Sequence, residues 1–249
     1  MKKLTKALAT AAVAVSAAYM PAANATNVAL ELALLVDVSG SVIGTEYNLQ
    51  KGGYVAAFQN PGIQAAIAAL TGGIAVTYIE WSGAAQQSVQ VGWTHITDAA
   101  SANAFAAAIN GTTRAFSGST APGSAINFAT PLFTNNFDSL RQVIDVSGDG
   151  AQNQGDNTAA ARDAALAAGI DTINGLPILG EAGLLAWYQN NIQGGAGSFT
   201  LPANDFADFE RAAITKIGRE ITPTPEPGSL ALAGLALAGV AGLRRKQRS

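Results

Sequence analysis

Apolar runs alternate with amphipathic segments along residues 26–221. The run Val28–Val36 is almost continuously apolar and ends at Asp37, which is typical of a strand buried on both faces of a parallel sheet. The pattern predicts strands at Val28–Val36, Gly73–Trp81, Ser88–Trp93, Arg141–Val146, Ile170–Ile178 and Ser198–Leu201, and helices at Glu46–Phe58, 63–70, Asp98–Ile109, Ser124–Phe133, Thr158–Ala168, Leu184–Asn191 and Asp205–Glu220.

This alternation predicts an α/β domain with a doubly wound, mostly parallel central sheet and helices on both faces. Only a short polar turn separates Gly73–Trp81 from Ser88–Trp93, so the second of these should be an antiparallel edge strand. In such sheets ligands bind beyond the carboxyl ends of the strands, and the loops there are the first place to look for function.

The first 25 residues have the layout of a secretory signal peptide. Three lysines precede the apolar stretch Ala7–Tyr19, and the small residues Ala23 and Ala25 follow at the spacing that a signal peptidase requires. We expect cleavage after Ala25, an exported protein, and a mature domain that begins near Thr26.

The last residues, 222–249, have a different architecture. Pro225, Glu226 and Pro227 lie in a proline-broken linker, Leu230–Leu243 is an uncharged run that predicts a short transmembrane helix, and a basic cluster follows it. This order resembles the PEP-CTERM sorting signal. The resemblance implies processing by an exosortase near Pro-Glu-Pro, and a location in the cell envelope, on the surface or in the extracellular matrix of a Gram-negative bacterium.

Composition narrows the function classes. Residues 26–221 contain 16 acidic and seven basic side chains, a net charge of −9, which argues against nucleic-acid binding. The chain has no cysteine, so disulfides, a cysteine nucleophile and thiolate zinc sites are excluded. One histidine, His95, cannot form a multi-histidine metal site.

Three predicted loops at the ends of strands or the starts of helices are rich in oxygen donors. They are Asp37–Ser41, Ser117–Thr120 and Ser147–Gly150, and Gly40 allows the first of them to turn tightly. Hydroxyl groups with few carboxylates suit a hard cation such as Mg²⁺, which retains water and leaves a position open for a partner's acidic group.

At these residues the sequence resembles the von Willebrand factor A-domain (vWA) superfamily. Asp37, Ser39 and Ser41 match its Asp-x-Ser-x-Ser motif, Thr120 matches its metal-site threonine, and Asp149 matches its second aspartate. The resemblance implies a metal-ion-dependent adhesion site (MIDAS), with the three hydroxyls as direct or near ligands and the carboxylates binding directly or through water. Mg²⁺ is the expected ion, with Mn²⁺ or Ca²⁺ as alternatives. The sequence departs from the superfamily in having Ser-Gly-Asp where Thr-Asp-Gly is usual.

A second resemblance covers most of residues 28–220. Trp81-Ser82-Gly83, Trp93-Thr94, the segment Asp145–Gly150 with Asn153, and Ile173–Leu176 are similar to a bacterial vWA-like family of unknown function. It supports the fold and implies no biochemical activity.

A rival metal site uses other residues of the third loop. Asp145, Ser147, Asp149, Gly150 and Asp156 have the spacing of an EF-hand calcium loop, although the residues before them are β-like. We instead expect Asp145 to hydrogen-bond loop backbone.

The favoured function is a binding or adhesion protein that engages an acidic group on a protein or polysaccharide through the metal, and not an enzyme. A metal-dependent extracellular hydrolase is the first alternative, with Asp145, Glu80 or His95 as its general base. No Gly-x-Ser-x-Gly elbow supports a His95 triad. A structural matrix component with a stabilising metal site is the second alternative.

Overall fold

A six-stranded sheet forms the centre of the computed structural model, which describes residues 25–222. The strands are β1 (Thr26–Val28), β2 (Leu30–Asp37), β3 (Ile74–Trp81), β4 (Gln87–Ile96), β5 (Phe137–Ser139), β6 (Gln142–Gly148), β7 (Thr172–Pro177) and β8 (Gly194–Gly195). The order in the sheet is β4-β3-β2-β6-β7-β8, and β1 pairs separately with β5. The four inner strands are mutually parallel, whereas β4 and β8 are antiparallel to their neighbours. The predicted fold class and the antiparallel edge strand are therefore confirmed.

Helices cover both faces of this sheet. They are α1 (Gly44–Gln59), α2 (Pro61–Ala68), α3 (Ala99–Asn110), α4 (Pro122–Ala129), α5 (Thr158–Ala167), α6 (Leu184–Asn191) and α7 (Phe209–Ile221). Successive side chains of a strand point to opposite faces, so Leu34 of β2 packs with α1, α2, α3 and α7, and Leu35 packs with α4, α5 and α6. Each face thus has its own apolar core.

Two predicted elements differ from the structure. Ser198–Leu201 is not a regular strand: it pairs with the edge of β7 only at Thr200, and a second isolated bridge forms at Ala203, on the far side of Pro202, which has no N–H to donate. The predicted helix Ser124–Phe133 is α4 followed by a 3-10 helix at Thr130–Phe133. Pro131 accounts for this change, because it cannot supply the next helical hydrogen bond.

The predictions for the two termini concern residues that lie almost wholly outside the described range. Signal-peptide cleavage, the sorting motif Pro225–Pro227 and the transmembrane helix Leu230–Leu243 therefore have no structural account here. Within residues 25–222, no helix combines the length and apolarity that a membrane crossing needs.

Candidate metal centre

The first loop places oxygen donors together directly after β2. Asp37 is fully buried, and its Oδ1 accepts a hydrogen bond of 2.7 Å from the backbone N–H of Ser39. The hydroxyl oxygens of Ser39 and Ser41 lie 3.1 Å apart. A β-carbon on Gly40 would lie 3.3 Å from the carbonyl oxygen of Gly118, to which the Gly40 N–H donates at 2.7 Å. Close backbone approach therefore joins the first loop to the second.

The second loop is fixed by Asn153, which brackets Thr120. The Thr120 N–H donates to Asn153 Oδ1 at 2.9 Å, and the Thr120 carbonyl accepts from the Asn153 N–H at 3.0 Å. Ser82 at the end of β3 accepts the Gly118 N–H at 2.7 Å. Thr120 is thereby held, 5% exposed, between the second and third loops.

Arg114 hydrogen-bonds to the backbone of the first and second loops. Its guanidinium donates to the carbonyl oxygens of Val38, Ser39 and Phe116, at 2.9, 2.6 and 2.8 Å. One side chain thus satisfies carbonyl groups of both loops. The side-chain oxygens of these loops are left to face the edge of the sheet at the carboxyl ends of β2 and β6, which we call the rim.

The third loop completes the set through Asp149. Its Oδ1 accepts a hydrogen bond of 2.7 Å from the hydroxyl of Ser41, on the first loop. A β-carbon on the neighbouring Gly148 would lie 2.7 Å from Asp37 Oδ2 and 2.9 Å from the Tyr188 hydroxyl oxygen. The departure from Thr-Asp-Gly therefore has a steric reason, because no side chain fits at position 148 beside Asp37.

Electrostatics at Asp37 favour a cation. Its Oδ2 is buried and has no hydrogen-bond partner among residues 25–222. Burial and the negative charge of Asp149 raise the pKa of Asp37 to about 7. Burial also raises the pKa of Asp149, where the Ser41 hydrogen bond acts in the opposite direction. Two desolvated carboxyl groups so close together need a positive charge to be stable in their ionised forms.

A cleft of about 380 Å³ opens above these groups. Its lining includes Ser41, Thr120, Asp149, Asn153 and Glu181. No group of three or more His, Cys, Asp or Glu side chains with metal-binding spacing occurs in the described part of the chain. A cation here would depend on hydroxyl oxygens together with carboxylates, which fits a hard ion such as Mg²⁺ better than one that prefers nitrogen or sulfur.

Asp145 lies apart from this cleft. It is fully buried in the middle of β6, and Lys216 of α7 lies against its side chain, so the expectation that it bonds loop backbone is wrong. The EF-hand arrangement is also wrong, because Asp145 faces α7 while Asp149 joins Ser41 at the rim. Asp156 instead accepts from the side chains of Ser124 and Asn127.

The other two candidate bases are also absent from the cleft lining. Glu80 is buried and accepts from the Tyr47 hydroxyl and the Ala115 N–H, both at 2.8 Å. His95 pairs with Ala75 near the start of β3, at the opposite edge of the sheet, and its Nε2 lies 2.7 Å from the Gly72 carbonyl oxygen. The general base that a hydrolase would need is therefore not supplied by these residues.

Four residues that shape the site were not predicted as such. Arg114 and Asn153 fix the loops, Glu181 accepts the Ala151 N–H at 3.0 Å beside the cleft, and Tyr188 approaches Asp37 from α6. The only available signal was for Asn153, which belongs to the motif shared with the vWA-like family. Nothing in the local sequence indicates that the other three lie near the loops.

Solved structures share this fold. They include proximal thread matrix protein 1 from the mussel byssus, with a zinc-occupied MIDAS motif (TM-score 0.56, 16% identity, 78% of this chain and 46% of that chain). The pilus adhesin SpaC from Lactobacillus rhamnosus GG has a TM-score of 0.57 at 14% identity, over 78% of this chain and 30% of that one. A von Willebrand factor type A structure from Catenulispora acidiphila has a TM-score of 0.52 at 16% identity, over 78% of this chain and 42% of that one. The chain spans less than half the length of each, and at these identities the likeness shows a vWA-like fold alone.

Two sequence comparisons together cover residues 27–246. The family described as "Protein of unknown function (DUF1194)" matches residues 27–225, and the PEP-CTERM protein-sorting motif matches residues 223–246. No curated protein matches the sequence. The sorting motif confirms the resemblance found at the C-terminus, and it implies processing by an exosortase and export to the envelope or surface of a Gram-negative bacterium.

Proposed function

Since the chain belongs to the family of proteins of unknown function DUF1194, which assigns it no activity, we propose a function from the residues at its rim. The protein is an exported binding protein that engages an acidic group through a divalent cation. The acidic group belongs to a protein or a polysaccharide outside the cell. The observation that supports this most directly is the connected set Asp37–Ser39–Ser41–Asp149, with an unpartnered carboxylate oxygen beneath it.

The residues that would hold the cation come from all three loops. Ser39, Ser41 and Thr120 supply hydroxyl oxygens, and Asp37 and Asp149 supply carboxylates, either directly or through water. Mg²⁺ is the favoured ion, with Mn²⁺ or Ca²⁺ as alternatives. When bound, the ion offers an open coordination position to an oxygen of the partner.

Charge explains why the cation and not the protein surface would recognise the acid. Residues 26–221 carry a net charge of −9, and Glu181 adds a carboxylate at the cleft itself. An acidic polymer is therefore repelled by the protein alone. Binding of such a ligand should depend completely on the ion, and a chelator should abolish it.

The fold neighbours are consistent with this function. Two of them are, by their own descriptions, a pilus adhesin and a thread matrix protein, and the second holds zinc at a MIDAS motif. These properties belong to those proteins, and they support a binding role here over an enzymatic one.

Calorimetry of the mature protein with Mg²⁺, Mn²⁺ and Ca²⁺ tests the site. We expect saturable binding of at least one ion, and loss of that binding in Asp37→Asn, which keeps the shape but removes the charge. Asp138→Asn is the matched control, because it makes the same chemical change at an exposed aspartate of β5. Equal affinity in wild type and Asp37→Asn would exclude the site.

Retention on immobilised polymers tests the ligand class. Alginate carries carboxylates and dextran is neutral, so the protein should be retained on alginate in Mg²⁺, released by chelator, and not retained on dextran. Protein ligands are tested separately. An extracellular fraction of the host is passed over the immobilised protein, with and without chelator. Retention that ignores the chelator would contradict the proposal.

A further inference from the structure

Three ionisable side chains meet inside the core between β6 and α7. Asp145 and Lys216 are 0% exposed and Glu220 is 2% exposed. The Nζ atom of Lys216 lies 2.5 Å from Oδ1 of Asp145 and 2.6 Å from Oε1 of Glu220. The metal site uses none of them.

The cluster contains two carboxyl groups and one amine. Asn174 donates to Oε1 of Glu220 at 2.8 Å, whereas the guanidinium of Arg141 donates to the backbone carbonyl of Glu220. The ring of Phe199 lies 5.6 Å from Nζ and closes one side. An ionised carboxylate is costly in such an apolar environment, so a carboxyl group without hydrogen-bond donors is best accommodated there as the neutral acid.

Asp145 is the better candidate for that neutral acid. Glu220 receives hydrogen bonds at Oε1 from both Asn174 and Lys216. Neither oxygen of Asp145 has a hydrogen-bond partner among the described residues. Burial, together with the charge of Glu220, raises the pKa of Asp145, against the opposing effect of Lys216.

The amine of Lys216 lies between the two carboxyl groups. Its Nζ atom contacts Oδ1 of Asp145 at 2.5 Å and Oε1 of Glu220 at 2.6 Å. The nitrogen is therefore in position to reach the carboxyl carbon of Asp145, and Glu220 is in position to accept a proton from it.

We propose that Lys216 and Asp145 condense into an intramolecular isopeptide bond that joins α7 to β6. Glu220 takes a proton from the Lys216 ammonium, which frees the Nζ lone pair. The lone pair attacks Cγ of the neutral Asp145 carboxyl group, the Nζ–Cγ bond forms, and the bond from Cγ to the hydroxyl oxygen breaks. A second proton from Nζ joins the departing hydroxyl, which leaves as water, and Glu220 keeps the first proton. An amine and a carboxylic acid thus give an amide and one water molecule, with no oxidant, metal or other reactant.

Placement provides the driving force for this step. Fixed neighbours can react with effective concentrations of about 10⁵–10⁸ M. The enclosed site excludes water that would reverse the reaction, and the reaction removes the buried charges of the Lys216 ammonium and the Glu220 carboxylate.

The bond would anchor the end of the domain. α7 ends at Ile221, and the sorting motif begins at residue 223, so a pull on the C-terminus acts first on α7. A covalent link to the central strand β6 would transfer that load to the sheet in a chain that has no cysteine for a disulfide.

Peptide mapping of the folded, mature protein with trypsin tests the bond. We expect the peptide 142–162 to be joined to 212–219, with Lys216 uncut and a total mass lower by one water than the sum of the two peptides. A free 142–162 peptide together with cleavage after Lys216 would overturn the proposal. A link to peptide 163–211 with loss of ammonia would make Asn174 the acceptor and would also overturn it.

Variants separate chemistry from folding. Lys216→Arg keeps the positive charge but supplies no amine, and Glu220→Gln removes the proton acceptor, so both should give unlinked peptides. Lys51→Arg, at the other lysine of the domain, should leave the link intact. Formation of the link in Glu220→Gln at the wild-type rate would remove Glu220 from the mechanism. If Lys216→Arg does not fold, the wild-type map still decides the question.

Discussion

Two buried aspartates on neighbouring strands solve the same electrostatic problem in opposite ways. Asp37 ends β2 and lies on the face covered by α4, α5 and α6, whereas Asp145 lies in the middle of β6 on the α1 and α7 face. Both are fully buried, and burial raises the pKa of both. Asp145 has a lysine of its own chain beside it, and Asp37 has no cation beside it among residues 25–222. The buried carboxyl group in the core thus has a counter-charge from its own chain, and the one at the rim has none among the described residues.

The largest expected effect comes from removing the buried lysine beside Asp145 and Glu220. Lys216→Met removes both the amine that would link to Asp145 and the only cation in contact with Asp145 and Glu220 among the described residues, and should lower the free energy of unfolding by about 3–5 kcal/mol. Urea denaturation measures this. Lys51→Met, at a lysine that bonds only backbone carbonyls near the surface, should change stability far less. Similar losses in the two variants would show that the buried cluster is not special.

The next effect concerns pH and acts on the rim. The folded-state pKa of Asp37 is about 7, above its ordinary value of 3.8, so the folded state binds more protons than the unfolded state between these values. The contribution of Asp37 to stability therefore falls as pH rises from about 4 to 7, by up to a few kcal/mol. A bound cation should offset this loss, so Mg²⁺ should raise the melting temperature more at pH 8 than at pH 5.

Calorimetric scans at both pH values, with and without Mg²⁺, measure that effect. Asp37→Asn should remove both the pH-dependent loss and the response to Mg²⁺. An equal Mg²⁺ effect at pH 5 and pH 8 would contradict the prediction.

A smaller effect follows from crowding at position 148. Gly148→Ala puts a β-carbon 2.7 Å from Asp37 Oδ2, and should cost about 1–3 kcal/mol while weakening the cation site. Gly180→Ala is the matched control, because Gly180 lines the same cleft and a β-carbon there meets nothing within 4 Å. Denaturation and cation titration of both variants measure these effects. Equal stability and equal cation affinity in the two variants would contradict the prediction.

The smallest expected effect comes from Asn153→Ala. It removes the acceptor for the Thr120 N–H and should cost about 1 kcal/mol. Loss of such a supporting contact should weaken cation affinity about 10-fold or more. Asn103→Ala, at an exposed asparagine of α3, provides the control for stability and for calorimetry. Unchanged affinity in Asn153→Ala would mean that Thr120 does not need this support.

Several elements could be predicted because their signals are local. The run that ends at Asp37 is β2, the polar turn after Trp81 does lead to an antiparallel edge strand, and the order of the oxygen-rich loops places them at one rim. Prediction was wrong where a local signal was weak or overridden. Ser198–Leu201 alternates like a strand, yet Pro202 interrupts its pairing, and Pro131 divides the predicted helix of residues 124–133.

The α/β class, the antiparallel edge strand and the residue types of the strand-end loops could all be predicted from the sequence, because hydrophobic periodicity and short turns are local signals. Which buried groups have a counter-charge depends instead on how the elements pack together. Lys216 and Glu220 are one helical turn apart and share a face of α7 in any helix, but the sequence does not say that this face packs on Asp145. That contact, like the approach of Gly148 to Asp37, depends on how helices pack across the sheet, and packing between distant segments leaves no local pattern.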